Sequence, residues 1–261
     1  MTVSSHDQKS MATSFLIVFL LVLLVAEFAG AEASSVTSDS LESGKVDLFV
    51  YYETKCPGCQ EFLVAQLPSL FTSDLYTVVN LKLVPWGIAS ISPNNVISCQ
   101  HGDEECAFNA INACVIYLWP NQNQHFAFVY CVESRTNVHA FNPGVWEGCA
   151  QELGLSVPAI QNCYSSGLAA SLLLQNMKET ESLNPPLTFV PWVLVEGNPL
   201  VNDYANFAAY VCRAYGGEGR PSACFTFPNV VHSHGSLDKL EELVLEDKLQ
   251  ELVCRKNQTL H

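Results

Sequence analysis

The sequence predicts an α/β fold with a disulfide-rich helical insertion, and three observations predict it. The apolar segment "KVDLFVYYET" (45–54) runs directly into Cys56-Pro57-Gly58-Cys59, followed by a helical segment and a second strand-like one. Six cysteines and several helical stretches then occupy the middle, about 88–184. Past them, a proline-led pair of short strands and further helical segments complete the order.

Each element has a local reason. Residues 15–26, "FLIVFLLVLLVA", form an apolar run shorter than the roughly 20 residues that span a bilayer, and Ala29-Gly30-Ala31 and Ala31-Glu32-Ala33 both fit an A-x-A cleavage rule. Residues 1–33 are therefore expected to be a secretory signal peptide, with 34–44, polar and small, a flexible leader. The segment 45–54 has the β-branched and aromatic enrichment of a buried strand. After the CxxC, "QEFLVAQLPSLF" carries Phe62, Leu63, Gln66 and Leu67 at helical spacing, with Pro68 late in the segment. "YTVVNLKLVPWG" (76–87) alternates like a strand. Helices are expected over 103–118, 121–135, 144–154, 157–165 and 167–182, although "HFAFVYCVES" is equally readable as a strand. "LTFVPWVLVEGNPLV" (187–201) reads as two strands about a Glu196-Gly197-Asn198 turn. "NDYANFAAYVCRAY" (202–215) reads as helical, and 236–253 as an amphipathic helix capped by Ser236. The arrangement is thioredoxin-like, one domain over 45–261 with a helical insertion at about 88–184.

Composition narrows the function. The 261-residue chain has 12 Lys+Arg against 26 Asp+Glu, a formal net charge of −14. No basic block occurs, which argues against a nucleic-acid partner, and the mature chain is expected to lie off the membrane. All 11 cysteines follow the signal segment. In a secreted chain that density reads as disulfides, and the odd number leaves at least one thiol outside any internal pairing.

The CxxC admits three chemistries. Zinc binding needs a second CxxC or a paired His motif, and the remaining spacings supply neither, so no metal is expected. A structural disulfide within so short a loop is the second reading. The third is a redox pair. Cys56 sits where the strand ends and a helix begins, and unsatisfied N–H groups there favour the attacking thiolate. Pro57 suits a first helical turn, Lys55 adds a nearby positive charge, and Cys59 lies one turn on, placed to resolve a mixed disulfide. Val190-Pro191 falls where a cis-proline would face the pair and bind a substrate strand, a proline otherwise hard to explain in a strand. No flavin or nicotinamide motif is present, so no cofactor is expected and an external small thiol must reset the pair. Cys99, Cys106, Cys114, Cys131, Cys149, Cys163, Cys212, Cys224 and Cys254 are expected to be structural, with no pairing readable.

"CQHGDEECAFNAINAC" (99–114), with "YYETKCPGC", "LVPWG", "VYCVES", "VPWVLVEGNPL" and "VCRAY" in the same order, resembles the gamma-interferon-inducible lysosomal thiol reductase family. The resemblance implies a thioredoxin-like reductase of protein disulfides in acidic endocytic compartments. It implies Cys56 as attacking cysteine, Cys59 as resolving cysteine and Pro191 as the cis-proline. From the residues themselves, His101 reads as a turn-capping histidine, and Glu105 and Asn109 as local helix contacts, none of them catalytic. Asn257-Gln258-Thr259 fits a glycosylation sequon at Asn257. The expected location is the secretory pathway, with the protein secreted or delivered to a lysosome or vacuole. Two rivals stay open: an oxidase or isomerase of the secretory pathway, and a non-catalytic disulfide-stapled binding module.

Overall fold

The computed structural model describes residues 44–94, 96–136, 142–226 and 253–256. The expected signal peptide, nearly all of the leader, the amphipathic helix at 236–253 up to residue 252, and Asn257 lie outside the described residues.

Strand β1, Val46–Tyr52, is the centre of a four-stranded sheet because almost every side chain it carries is apolar and buried. Strand β2, Val79–Pro85, pairs with it in parallel, Val46 opposite Val79 and Tyr52 opposite Pro85. The alternation read from the sequence is visible in β2, where Val79, Leu81 and Leu83 are buried and Asn80 and Lys82 exposed. Between these strands run helix α1, Pro57–Glu61, a π-helical turn, Phe62–Gln66, and helix α2, Pro68–Thr72. The π-turn accounts for the late proline: Leu67 N–H reaches back to Phe62 O at 2.8 Å, and Pro68, lacking an N–H, opens α2.

A short hairpin, β3 (Ser90–Ile91) with β4 (Ile97–Ser98), leads into five helices. They are α3 (Asp103–Leu118), α4 (Gln122–Arg135), α5 (Val145–Glu152), α6 (Val157–Ser165) and α7 (Leu168–Glu181). Helix α3 is buried on two sides. Phe108, Ile111 and Val115 join one apolar cluster, while Ala110, Ala113 and Cys114 join another. The ambiguous "HFAFVYCVES" is helical for the same reason. In α4, Phe126 and Val129 pack on the sheet core and Phe128, Cys131 and Val132 on the second cluster, so no single apolar stripe marks it. Disulfides Cys114–Cys163 and Cys131–Cys149 tie α3 to α6 and α4 to α5. Among the described residues no helix is long and apolar enough to cross a membrane.

The chain re-enters the sheet through β5 (Phe189–Val190), β6 (Trp192–Val195) and β7 (Asn198–Pro199). Strand β6 is antiparallel to β1 and β7 antiparallel to β6, giving the order β2-β1-β6-β7. The β6–β7 turn has Glu196 at φ 50° and Gly197 at φ 72°, the left-handed pair a tight hairpin requires. Helix α8, Phe207–Ala214, follows a 3-10 segment, and Cys212–Cys224 closes the loop beyond it. A last strand, β8 (Cys254–Arg255), pairs antiparallel with β5.

Candidate functional site

The site is assembled at the end of β1. Cys56 is the N-cap of α1, with Pro57 at the first helical position and Gln60 N–H donating to Cys56 O at 2.9 Å. The turn before it is held by α3. Thr54 N–H donates to Asn109 Oδ1 at 2.9 Å, and the Thr54 hydroxyl donates to Glu105 O at 3.1 Å. The Asn109 side chain therefore reaches across the fold to the cysteine turn, where the sequence suggested a helix-local contact. Glu105 meets that turn through its backbone carbonyl and keeps its side chain on His101, four residues before it. Lys55, at φ 66°, is engaged by Glu104, so its charge is not directed solely at Cys56.

The cysteines depart from expectation at one point. Cys99–Cys106, Cys114–Cys163, Cys131–Cys149 and Cys212–Cys224 form four bridges. The fifth joins Cys56 to Cys254, and Cys59 is a buried free thiol. Cys254, expected among the structural cysteines, is the one bonded to the CxxC. Strand β8 lays it opposite Val190, and the two Cα atoms of the bridge stand 6.0 Å apart, within normal disulfide reach. The Val190–Pro191 peptide bond is cis, and Cys56 Sγ lies 3.8 Å from Val190 O. Gln100 Nε2 donates to Arg255 O at 3.1 Å and Lys256 N–H to Thr188 O at 3.1 Å, holding the strand along β5.

Buried carboxyl groups surround the free thiol, a feature the sequence reading missed. Glu53, Glu105 and Glu133 are each almost fully buried. Burial, and then the neighbouring Glu105, push the Glu53 carboxyl well above the ordinary carboxylate range, against the opposing pull of an Ile88 N–H. Burial, and then Glu105, push Glu133 up to about 8. Cys59 is raised well above an ordinary thiol, first by burial and then by Glu53. Glu53 is seated by Ile88 N–H at 2.9 Å beside Gly87, where an added Cβ would lie 2.4 Å from its Oε2. The signal available in the sequence was a charged residue closing an apolar strand, in "VYYE".

His101 is brought to the same place. Its Nδ1 lies 2.5 Å from Glu105 Oε2 and 3.6 Å from Glu53 Oε1, and its Nε2 lies 3.7 Å from Cys254 Sγ. Ligand-type atoms of Glu53, His101 and Cys254 all fall within 4.8 Å of one another. The sulfur of that trio is bonded to Cys56, so the grouping offers sulfur exchange rather than a thiolate ligand set.

A sheet of this topology, a CxxC at a helix N-terminus and a cis-proline strand against it define a thioredoxin-like thiol–disulfide exchange protein. Oxidised BdbD from Bacillus subtilis shares the fold, with TM-score 0.51 at 13% identity over 65% of this chain and 87% of that one. Residues 47–153 match the sequence profile of the gamma interferon inducible lysosomal thiol reductase (GILT) family. The chain is 42% identical over 204 residues to a gamma-interferon-responsive lysosomal thiol protein of Arabidopsis thaliana, covering 77% of this chain and 82% of the relative. It is 34% identical over 193 residues to a gamma-interferon-inducible lysosomal thiol reductase of Carassius auratus, covering 69% and 72%. The chain belongs to the GILT family.

Proposed function

We propose that the chain reduces protein disulfides by thiol–disulfide exchange, with Cys56 attacking and Cys59 resolving. One observation carries the reading. The Cys56 sulfur is bonded to a cysteine on a strand paired at Val190, just before cis-Pro191, while Cys59 remains a thiol. An exchange enzyme caught with a bound substrate would hold the same bonds.

In the first step the Cys56 thiolate attacks one sulfur of a substrate disulfide. The Cys56–substrate bond forms, the substrate bond breaks, and the other sulfur leaves with the electron pair and takes a proton. Cys59 then attacks Cys56, releasing the second substrate thiol and closing Cys56–Cys59. Two electrons pass to the substrate, and a small external thiol restores the dithiol. Val190 and Pro191 present the edge on which the substrate strand lies, the edge that residues 254 and 255 occupy here. High pKa values suit the order of events: Cys59 stays protonated until the mixed disulfide exists, so Cys56 acts first.

The names of the relatives and the disulfide content support a secretory or lysosomal setting. Lysosomal, vacuolar or extracellular delivery, cleavage after residue 33 and a sugar at Asn257 belong to the same reading. The test is reductase activity toward a disulfide-containing protein near pH 5. Cys56→Ser is expected to abolish it while the chain stays folded. Full activity in Cys56→Ser would refute the assignment.

A further inference from the structure

His101 has no part in the cycle above, yet it stands against the sulfur that the cycle must expel. Its Nδ1 shares a hydrogen bond with Glu105 Oε2, and the His101 backbone N–H donates to the same oxygen at 2.9 Å. That pair of bonds fixes the ring and leaves Nε2 directed at Cys254 Sγ, 3.7 Å away. Cys254 carries the bond to Cys56, and the pairing with Val190, that a substrate half-way through exchange would carry. We propose that His101 is a catalytic acid: its Nε2–H protonates the sulfur that leaves Cys56 when Cys59 attacks, and Cys254 marks where that sulfur lies. This rests on the assignment of Cys56 and Cys59 made above.

The step balances without an outside oxidant. A bond forms between the Cys59 and Cys56 sulfurs, and the bond from Cys56 to the departing sulfur breaks, leaving both electrons on that sulfur. Cys59 is oxidised and the departing cysteine reduced. The proton lost by Cys59 enters the carboxyl cluster facing it, Glu53, Glu105 and Glu133. As His101 Nε2–H passes its proton to the sulfur, Glu105 passes one to Nδ1, so one proton leaves the cluster for the one it gained from Cys59.

Such an acid is needed here more than in open water. An alkyl thiolate of ordinary pKa near ~8.5 would be expelled as an anion among buried carboxyl groups. The groups facing His101 are Glu53 from the end of β1, Glu105 from α3 and Cys254 from β8. Among the described residues, two cations near the site have other partners. Lys55 is paired with Glu104, and the Arg255 guanidinium lies over the Phe189 ring at 5.8 Å. Positioned proton transfer typically contributes about 10²–10⁴-fold.

The test separates leaving groups. The chain from residue 34 onward carrying Cys254→Ser, so that no internal cysteine can bond to Cys56, is reduced and mixed with either an alkyl disulfide peptide or the aryl disulfide of nitrothiobenzoate. Acid quenching and mass spectrometry then follow the Cys56 adduct and the Cys56–Cys59 product. Adding His101→Gln is expected to slow resolution of the alkyl adduct about 100-fold or more. Resolution of the aryl adduct, whose thiolate needs no proton to leave, is expected within about twofold of the parent. Equal rates with and without His101, or equal slowing of both adducts, overturn the proposal. A second measurement needs no variant of His101. Across a series of thiols in the parent, the resolution rate is expected to vary little with thiol acidity, and a steep rise with acidity overturns the proposal. A parent that forms no adduct at Cys56 overturns the assignment of Cys56 itself, and this proposal falls with it.

Discussion

Glu133→Gln tests the electrostatics of the site through stability. Glu133 lies almost fully buried near Cys59, with no hydrogen-bond partner for either carboxyl oxygen among the described residues, and its pKa rises from 4.5 to about 8 because burial disfavours the charged form. Between those two values the unfolded chain has lost the proton and the folded chain has kept it. Folded protein therefore binds more protons, and stability falls as pH rises through that window. The slope for one group is about 1.4 kcal/mol per pH unit, so between pH 5 and pH 7.5 the wild-type chain should lose about 3 kcal/mol through Glu133 alone. Glutamine mimics the protonated acid and carries no such dependence. Glu53 acts in the same direction in both chains and cancels in the comparison. Urea unfolding of the oxidised chains, followed at several pH values, should give similar stability near pH 5 and a Glu133→Gln advantage growing to about 3 kcal/mol at pH 7.5. Parallel curves across the window would refute the reasoning, because they would mean that Glu133 ionises in the folded chain as it does in water.

Three further outcomes follow from the geometry. Cys254→Ser leaves an even number of cysteines, so the unreduced, denatured chain should titrate with no free thiol as Cys56 closes on Cys59. The wild type should show one, and two thiols in the variant would contradict the exchange. Asn109→Ala removes the acceptor for Thr54 N–H at 2.9 Å, so it should cost about 1–3 kcal/mol in denaturant unfolding. Reductase activity should fall as well, through loss of the turn that presents Cys56. Gly87→Ala places a methyl 2.4 Å from Glu53 Oε2 at a backbone φ of +59°. It should destabilise the chain by about 1–3 kcal/mol, and that loss should shrink when Glu53 is shortened to Ala.

The sheet, the CxxC at its helix and Pro191 were legible because each has a local cause. An apolar strand, a proline at a first helical turn and a proline between two strands need no distant partner to be read. The five middle helices were legible with nearly correct ends, with one doubtful segment in α4, whose two buried faces erase the helical stripe. The role of the CQHGDEEC signature was not legible. Asn109 and Glu105 act on Thr54, about fifty residues earlier in the chain, and no local pattern announces a contact at that separation. Cys254 lay between the two cases. An odd cysteine count required one thiol without a permanent partner, yet only the pairing of β8 with β5 reveals which cysteine sits at Cys56. Burial of Glu53 and Glu133 was equally hidden, since a carboxyl group is buried by what packs on it from elsewhere.

The most direct measurement is a trapping experiment on the chain carrying both Cys59→Ser and Cys254→Ser. Without a resolving thiol, the reduced chain mixed with a disulfide-containing protein near pH 5 should accumulate one covalent adduct. Peptide mapping after acid quenching should place it on Cys56. An adduct on any other cysteine, or none at all in a folded chain, would contradict Cys56 as the attacking sulfur.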